Sequence, residues 1–176
     1  KEKQFENAKQ VLEQGKKQGV TGEKLNALET QLASINQTEN VDSASPSQTQ
    51  LSSLFEHYQN GRYDDAEKMA LLITQEFPEN QFAWKVLGAL LGQKGMKAEA
   101  LNANQKAVQL EPQDAEAHNN LGATLQALGR LEEAEASYRQ AIALKPDYAE
   151  AHYNLGVMLK KLDRLEEAEA SLRQAI

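Results

Sequence analysis

A constant step between prolines recurs along this sequence and constrains its fold more than any other feature. Pro78, Pro112 and Pro146 are evenly spaced, and Pro46 precedes Pro78 by nearly the same interval. Because the sequence holds only these four prolines, they mark one recurring point of a repeating unit. A fixed period of about 34 residues is typical of a solenoid, in which each repeat packs against its neighbours.

An internal duplication supports the same period. Segments 115–142 and 149–176 are identical at 21 of their 28 positions. Small residues keep the step as well: Ala66, Ala100, Ala134 and Ala168 form one series, Gly88, Gly122 and Gly156 another, and Gly61, Gly95 and Gly129 a third that continues at Asp163. We therefore divide the later part of the chain into four units, 47–80, 81–114, 115–148 and a truncated 149–176.

Each unit is predicted to form two helices. In 115–148, apolar residues from Ala117 to Leu128 recur at helical spacing, and Gly129 follows as a residue that ends helices. A second stripe runs from Leu131 to Ile142, and Pro146 ends it because proline does not fit a helix interior. The pattern predicts an all-α solenoid of antiparallel helix pairs.

Composition excludes several classes of function. The chain carries 19 Lys and Arg against 26 Asp and Glu, a net charge of −7, which argues against a surface that neutralises nucleic-acid phosphates. It contains no Cys, so disulfides and thiolate sites are excluded, and a reducing, cytoplasmic location is expected. No apolar run approaches the length of a membrane-spanning helix, so no membrane partner is expected.

No catalytic, cofactor or metal site is predicted. His118 and His152 occupy one position of successive units, where Trp84 stands earlier, and this favours packing over metal binding. The glutamates that begin the second helices are interpreted as solvated, with Glu135 paired to Arg139 and Glu169 to Arg173 at i,i+4. The chain is therefore not expected to be an enzyme, although a catalytic domain elsewhere in a longer protein is possible.

The pattern resembles the tetratricopeptide repeat (TPR). Its aromatic, Leu-Gly, Ala and Pro positions are matched in unit 81–114 by Trp84, Leu87, Gly88, Ala100, Ala107 and Pro112. The resemblance implies a right-handed superhelix with a concave groove lined by the first helix of each unit. It also implies which residues face that groove; the candidates are Lys85, Gln93, Asn119, Asn120, Gln126, Tyr153, Asn154, Lys160 and Lys161.

Asn120 and Asn154 recur one repeat apart in this set. They resemble the asparagine ladder in the repeats of O-linked N-acetylglucosamine transferases, although Val86 and Ser52 stand at the same position of the earlier units. An Asn amide both donates and accepts hydrogen bonds, so it can hold a peptide backbone without reading side chains. The alternative, that these residues are solvent-facing or capping, stays open.

Segment 1–46 is predicted to depart from the repeat. Residues 1–35 align with the second helix of a truncated repeat followed by a helix that could cap it, with Leu25, Leu28, Leu32 and Ile35 as its apolar stripe. Segment 36–46 is rich in Ser, Thr, Asn and Gln and is predicted to be a linker.

Three hypotheses of function follow. The first is a scaffold that binds an extended peptide or a partner helix in the groove. The second is the substrate-recruiting arm of a larger glycosyl- or sulfotransferase. The third is self-assembly through stacking of exposed end faces. The expected partner is a protein or peptide, and neither cofactor nor metal is expected.

Overall fold

The computed structural model describes residues 45–176, and within them the regular structure consists of eight α-helices and no strand. They are α1 Gln48–Gln59, α2 Tyr63–Glu76, α3 Gln81–Gln93, α4 Lys97–Leu110, α5 Ala115–Ala127, α6 Leu131–Leu144, α7 Ala149–Lys161 and α8 Leu165–Gln174. The predicted all-α repeat solenoid is confirmed. The predictions for 1–35, and for the linker 36–46 up to residue 44, lie outside the described residues.

Each first helix ends in a turn that needs a left-handed residue. Gly61, Gly95 and Gly129 have φ angles of 71°, 75° and 77°, and Asp163 takes the same place with a φ of 60°. In unit 115–148 the backbone N–H of the next residue, Arg130, reaches back to a carbonyl in the last turn of α5. Glycine adopts this conformation without steric cost, which explains why it recurs once in each of the first three units.

The second helices end where the sequence places proline. Phe77, Glu111 and Lys145 each precede a proline, and their φ, ψ angles are −130°, 72°; −137°, 82°; and −137°, 89°. The proline ring disfavours the α conformation in the residue before it, so each helix stops there.

A glycine lets the two helices of a unit approach closely. A Cβ built on Gly122 would lie 2.7 Å from the ring of Tyr138, which is 1% exposed, and a Cβ on Gly156 would lie 2.7 Å from Leu172. Real Cβ atoms do not come this close, so the large residue on the second helix requires glycine on the first.

The first unit reverses this arrangement of sizes. Leu54 stands where the later units have glycine, and Ala70 stands where Tyr138 lies in the third; both are fully buried in one cluster. The large side chain has moved to the first helix, so the sum of the two volumes is largely kept. Cores tolerate such exchanges well, which accounts for a sequence that departs from the glycine pattern.

The order of contacts identifies the inner side of the solenoid. Each helix packs against the next one in the chain, and in addition α1 contacts α3, α3 contacts α5, and α5 contacts α7. In the described residues the backbones of α2, α4, α6 and α8 make no such close approach to one another. Because the first helices are closer together than the second helices, they line the concave side.

Charged side chains bridge the second helices on the outer side. Glu135 pairs with Arg139 at i,i+4, as predicted, and with Arg164 of the next unit at 2.5 Å. Glu167 completes a network by pairing with both arginines. The predicted pair of Glu169 and Arg173 is also present. Hydrogen bonds to these arginines lower the pKa values of Glu135 and Glu167.

Candidate functional site

The concave side holds a cavity of about 370 Å³ that is open to solvent. It is lined by Tyr58, Gly88, Ala89, Gly92, Gln93, Lys97, Asn104, Asn120, Ala123, Thr124, Ala127 and Glu150. Most of these residues come from α3 and α5, the adjacent first helices of units 81–114 and 115–148. The cavity is therefore a deepening of the groove between two repeats.

Small residues make the groove deep at this point. Gly88, Ala89 and Gly92 are on α3, and Ala123 and Ala127 face them from α5. Nothing lies within 4 Å of a Cβ built on Gly92, so the space beside that residue is open. Ligands of proteins are usually held in concave pockets of this kind, with apolar walls and a few placed polar groups.

Two of the predicted groove residues, Asn120 and Gln93, line this cavity, and their side-chain amides are unpaired within residues 45–176. The backbone carbonyl of Asn120 accepts from the hydroxyl of Thr124, but its side-chain amide has no hydrogen-bond partner within residues 45–176. Gln93 is exposed and its amide is likewise unpaired there. A third predicted residue, Gln126, is half-buried, and its Oε1 accepts a hydrogen bond from Tyr138 at 2.8 Å.

Asn119 does not face the open groove, contrary to its place in the predicted set. It is 1% exposed, and both ends of its amide are occupied. Its Nδ2 donates to Glu150 at 3.1 Å, and its Oδ1 accepts from Asn154 at 3.0 Å. Because three polar groups of successive units satisfy one another here, Asn119 joins repeats and is not available to a ligand. Asn154 keeps its own Oδ1 free of partners in the described chain.

The positive charge of Lys85, another predicted residue, is already balanced by two carboxylates. Its Nζ lies 2.9 Å from Asp114 and 2.7 Å from Glu116, and its side chain is 15% exposed. Burial alone would lower the pKa of Lys85, but the hydrogen bonds to Glu116 and Asp114 outweigh it, so the pKa is raised. Lys85 therefore remains charged and links α3 to the start of α5 through Asp114, which caps α5, and Glu116, in the first turn of α5.

Carboxylates gather at the edge of the groove where the first helices begin. Glu116 and Glu150 stand in the first turns of α5 and α7, where the helix dipole stabilises a negative charge. Burial and then Glu150 raise the pKa values of Tyr138 and Tyr148. Burial and then Glu116 raise the pKa of Tyr58. This edge therefore gathers carboxylates of two successive repeats, of which Glu116 is paired with Lys85.

The remaining predicted residues lie on α7. Lys160 and Lys161, at its far end, are exposed, and neither pairs with a carboxylate within the described part of the chain. Tyr153 is 56% exposed and lines a second, apolar cavity of about 440 Å³ with Ala149, Glu150, Leu172, Ala175 and Ile176.

Trp84, His118 and His152, in the first turns of α3, α5 and α7, each reach back to a backbone carbonyl before the helix. The indole N–H of Trp84 donates to the carbonyl of Pro78 at 2.8 Å. Nε2 of His118 lies 3.0 Å from the carbonyl oxygen of Pro112, and Nε2 of His152 lies 2.9 Å from that of Pro146. Each contact is a hydrogen bond in the tautomer protonated at Nε2. These contacts hold each side chain against the segment that precedes its helix, which agrees with the packing interpretation.

Sequence reasoning did not single out Tyr58, Lys97, Asn104 and Thr124, which also line the cavity. Lys97 and Asn104 are on a second helix, α4, whereas the resemblance implies a groove lined by first helices. The sequence could have drawn attention to Asn104, because the next unit has a much larger residue, Tyr138, at the same repeat position.

Residues 45–176 contain neither a metal-binding cluster nor a membrane-spanning helix. No three His, Cys, Asp or Glu side chains come together there in a group that could hold a metal ion. None of the described helices combines the length and the apolar character needed to cross a membrane.

Comparison with known proteins identifies the repeats. The family model described as "TPR repeat" matches residues 88–129 and 125–163. The structure is similar to a mutant O-GlcNAc transferase of Thermobaculum terrenum, with 32% identity, a TM-score of 0.59 and 63% of this chain covered. The matched part spans only 22% of the length of that transferase.

Two further structures cover more of the chain. A thermophilic TPR protein of Thermus thermophilus is 27% identical over 73% of this chain and 72% of its own length, with a TM-score of 0.66. MamA of Desulfovibrio magneticus RS-1 is 19% identical, with a TM-score of 0.67. The match covers 97% of this chain and 92% of MamA, and at this identity it shows a similar fold. No curated protein matches the sequence.

Proposed function

We propose that the chain is a member of the tetratricopeptide-repeat family and an interaction scaffold whose concave groove binds an extended peptide segment of a protein partner. The repeats support a protein-interaction role in general. Our proposal extends this general role by naming the groove, the mode of binding and the contact residues. The described residues are assigned a binding and not a catalytic role.

The observation that carries this proposal is the groove cavity with the unpaired amides of Asn120 and Gln93 on its walls. An extended peptide has a backbone donor and acceptor at almost every residue, and these need partners once water is displaced. Side-chain amides offer both a donor and an acceptor, so two of them on facing helices can hold a backbone from both sides.

The charges of the groove suggest how a peptide would be oriented. Glu116 and Glu150 stand at one edge, while Lys160 and Lys161 are at the opposite end of α7. We propose that a basic group of the ligand faces the acidic edge and an acidic group faces the two lysines. Complementary charge of this kind fixes register and orientation more than it adds affinity.

A displayed library of random dodecapeptides tests the proposal. Peptides selected on the full chain should lose affinity when Asn120 and Gln93 are both replaced by alanine. Each hydrogen bond is worth about 0.5–1.5 kcal/mol, so the pair should weaken binding roughly tenfold or more.

The matched control is the double variant Asn102→Ala and Gln105→Ala. These residues are exposed on α4 and do not line the cavity. Equal affinity of both double variants for the selected peptides would show that the ligand lies outside the groove. Failure to select any peptide would contradict the peptide-binding role itself.

A second candidate is the substrate-recruiting arm of a transferase. It is favoured by the 32% identity to an O-GlcNAc transferase. The match covers 22% of the length of that transferase. Reading the gene past the codon for Ile176 tests it, since this candidate requires a transferase domain in the same open reading frame.

A third candidate is self-association through the apolar cavity beside Tyr153 and Leu172. Sedimentation equilibrium of the chain and of Tyr153→Glu decides this point. Self-association predicts a concentration-dependent mass that the variant reduces to that of the monomer. A monomeric parent chain would exclude it.

A further inference from the structure

The third repeat shows what normally fills the space between the helices of a unit. The ring of Tyr138 extends from α6 across Gly122 of α5 and is 1% exposed. Its hydroxyl donates to Oε1 of Gln126, one turn further along α5, at 2.8 Å. In the third repeat, the tyrosine ring and the glutamine that accepts its hydroxyl hydrogen bond together occupy this space.

The second repeat lacks both of these side chains. Asn104 occupies the repeat position of Tyr138 one unit earlier, and Gly92 likewise occupies that of Gln126. Asn104 rests on Gly88 much as the tyrosine rests on its glycine, but its side chain ends there. Asn104, Gly88 and Gly92 all line the 370 Å³ cavity, so the cavity lies where the ring and the glutamine would be.

Asn104 also brings an unsatisfied polar atom to the cavity wall. It is 1% exposed, and its Nδ2 donates to the hydroxyl of Thr124 at 2.9 Å. Its Oδ1 is buried and has no hydrogen-bond partner. Buried polar atoms are nearly always paired, so this acceptor is an unusual feature of the wall; it is packed against Gly88 and is not open to the cavity.

We propose that this cavity is a side-chain pocket that receives the phenol ring of a tyrosine from the bound peptide. The inference rests on the proposed peptide-binding function and names one residue of the ligand. The same fold accommodates a tyrosine at the equivalent place one repeat later. The glycine and alanine walls suit the faces of a ring, and Asn120 and Glu150 offer acceptors for its hydroxyl.

The pocket is first tested with p-cresol, which is the side chain of tyrosine without its backbone. In ¹H–¹⁵N spectra of the full chain, p-cresol should cause saturable shifts of the side-chain amides of Asn104 and Asn120. Gly92→Gln should abolish them, because it restores the side chain that closes the groove in the third repeat. Nothing stands within 4 Å of that Cβ, so the variant should fold.

Two further variants make the result decisive. Asn104→Tyr supplies the ring from the chain itself and should also abolish the shifts. Asn102→Gln introduces the same side chain as Gly92→Gln at an exposed position of α4 outside the cavity and should preserve them. Shifts that persist in both pocket variants, or that arise only around Tyr153 and Leu172, would overturn the proposal.

Peptides selected from the dodecapeptide library separate this inference from the proposed function. The inference expects tyrosine at a common position and at least a tenfold loss of affinity in Gly92→Gln. Peptides without tyrosine that still depend on Asn120 and Gln93 would refute the pocket while the groove function stands. If no peptide is selected, both proposals are wrong.

Discussion

Two glycines of the first helices, Gly122 and Gly92, have opposite surroundings. A Cβ on Gly122 would lie 2.7 Å from the ring of Tyr138, whereas a Cβ on Gly92 would meet nothing within 4 Å. The first glycine is required by contact between helices. The second leaves a cavity open at a cost in helix stability, because glycine inside a helix is less favourable than alanine.

Alanine at these two positions should change stability in opposite directions. We expect Gly122→Ala to destabilise the chain by about 1–3 kcal/mol through overpacking. Gly92→Ala should stabilise it by about 0.5–1 kcal/mol through helix propensity. Urea denaturation of the two variants beside the parent measures both effects, and shifts of the same sign would contradict the packing described for Gly122.

Asp163 is a residue whose backbone conformation suits glycine better. Its φ of 60° is left-handed, and the three equivalent residues of the earlier units are glycines. Asp163→Gly should remove this strain and stabilise the end of α7 by roughly 1 kcal/mol or less. Thermal unfolding measures the change, and a lower melting temperature in the variant would show that the aspartate side chain has a role of its own.

At the scale of the helix, Asp114 joins two repeats through a single carboxylate. Its Oδ1 accepts from the backbone N–H groups of Glu116 and Ala117 and so caps α5. Its Oδ2 accepts from Gln81 at 2.7 Å and from Lys85 at 2.9 Å, both on α3. The cap therefore fixes the start of one repeat to the first helix of the preceding one.

Removal of this carboxylate should cost more than removal of its exposed neighbour. We expect Asp114→Ala to destabilise the chain by about 0.5–2 kcal/mol from the lost cap alone. Glu116→Ala should cost less than about 1 kcal/mol, because the side chain of Glu116 is 55% exposed. Equal losses in chemical denaturation would mean that the cap adds nothing beyond the ion pair.

The same carboxylate should make stability depend on acid pH. Burial raises the pKa of Asp114, but the hydrogen bonds from Lys85 and Ala117 outweigh it and leave the pKa below its usual value. A depressed pKa stabilises the fold above the unfolded pKa of about 3.9, and this contribution is lost as the pH falls through the folded value. The stability difference between the parent and Asp114→Asn should therefore shrink below about pH 4; a constant difference throughout the acid range would contradict the assignment.

The period of the sequence was enough to predict the helices and their ends, since glycine and proline act locally. It was not enough to predict which groove residues stay free. Asn119 and Lys85 were both placed in the groove by their repeat position. Their partners lie about one repeat further along the chain. Whether a polar side chain pairs with such a neighbour or stays free depends on three-dimensional geometry, which a repeat pattern does not contain.

At the scale of the whole molecule, small departures from the repeat create the candidate site. Consecutive units share one architecture, and the likeness to two solved structures confirms the helical solenoid. The groove deepens where Asn104 and Gly92 replace the tyrosine and glutamine of the next unit. The candidate site thus lies at positions where one repeat differs from its neighbour.

A crystal structure of the chain with a library-selected peptide tests the central claim most directly. The account predicts an extended peptide along the first helices, with its backbone on Asn120 and Gln93 and a tyrosine ring over Gly92. A peptide bound across the second helices, or in the apolar cavity beside Tyr153, would contradict the assignment of the concave groove as the binding site.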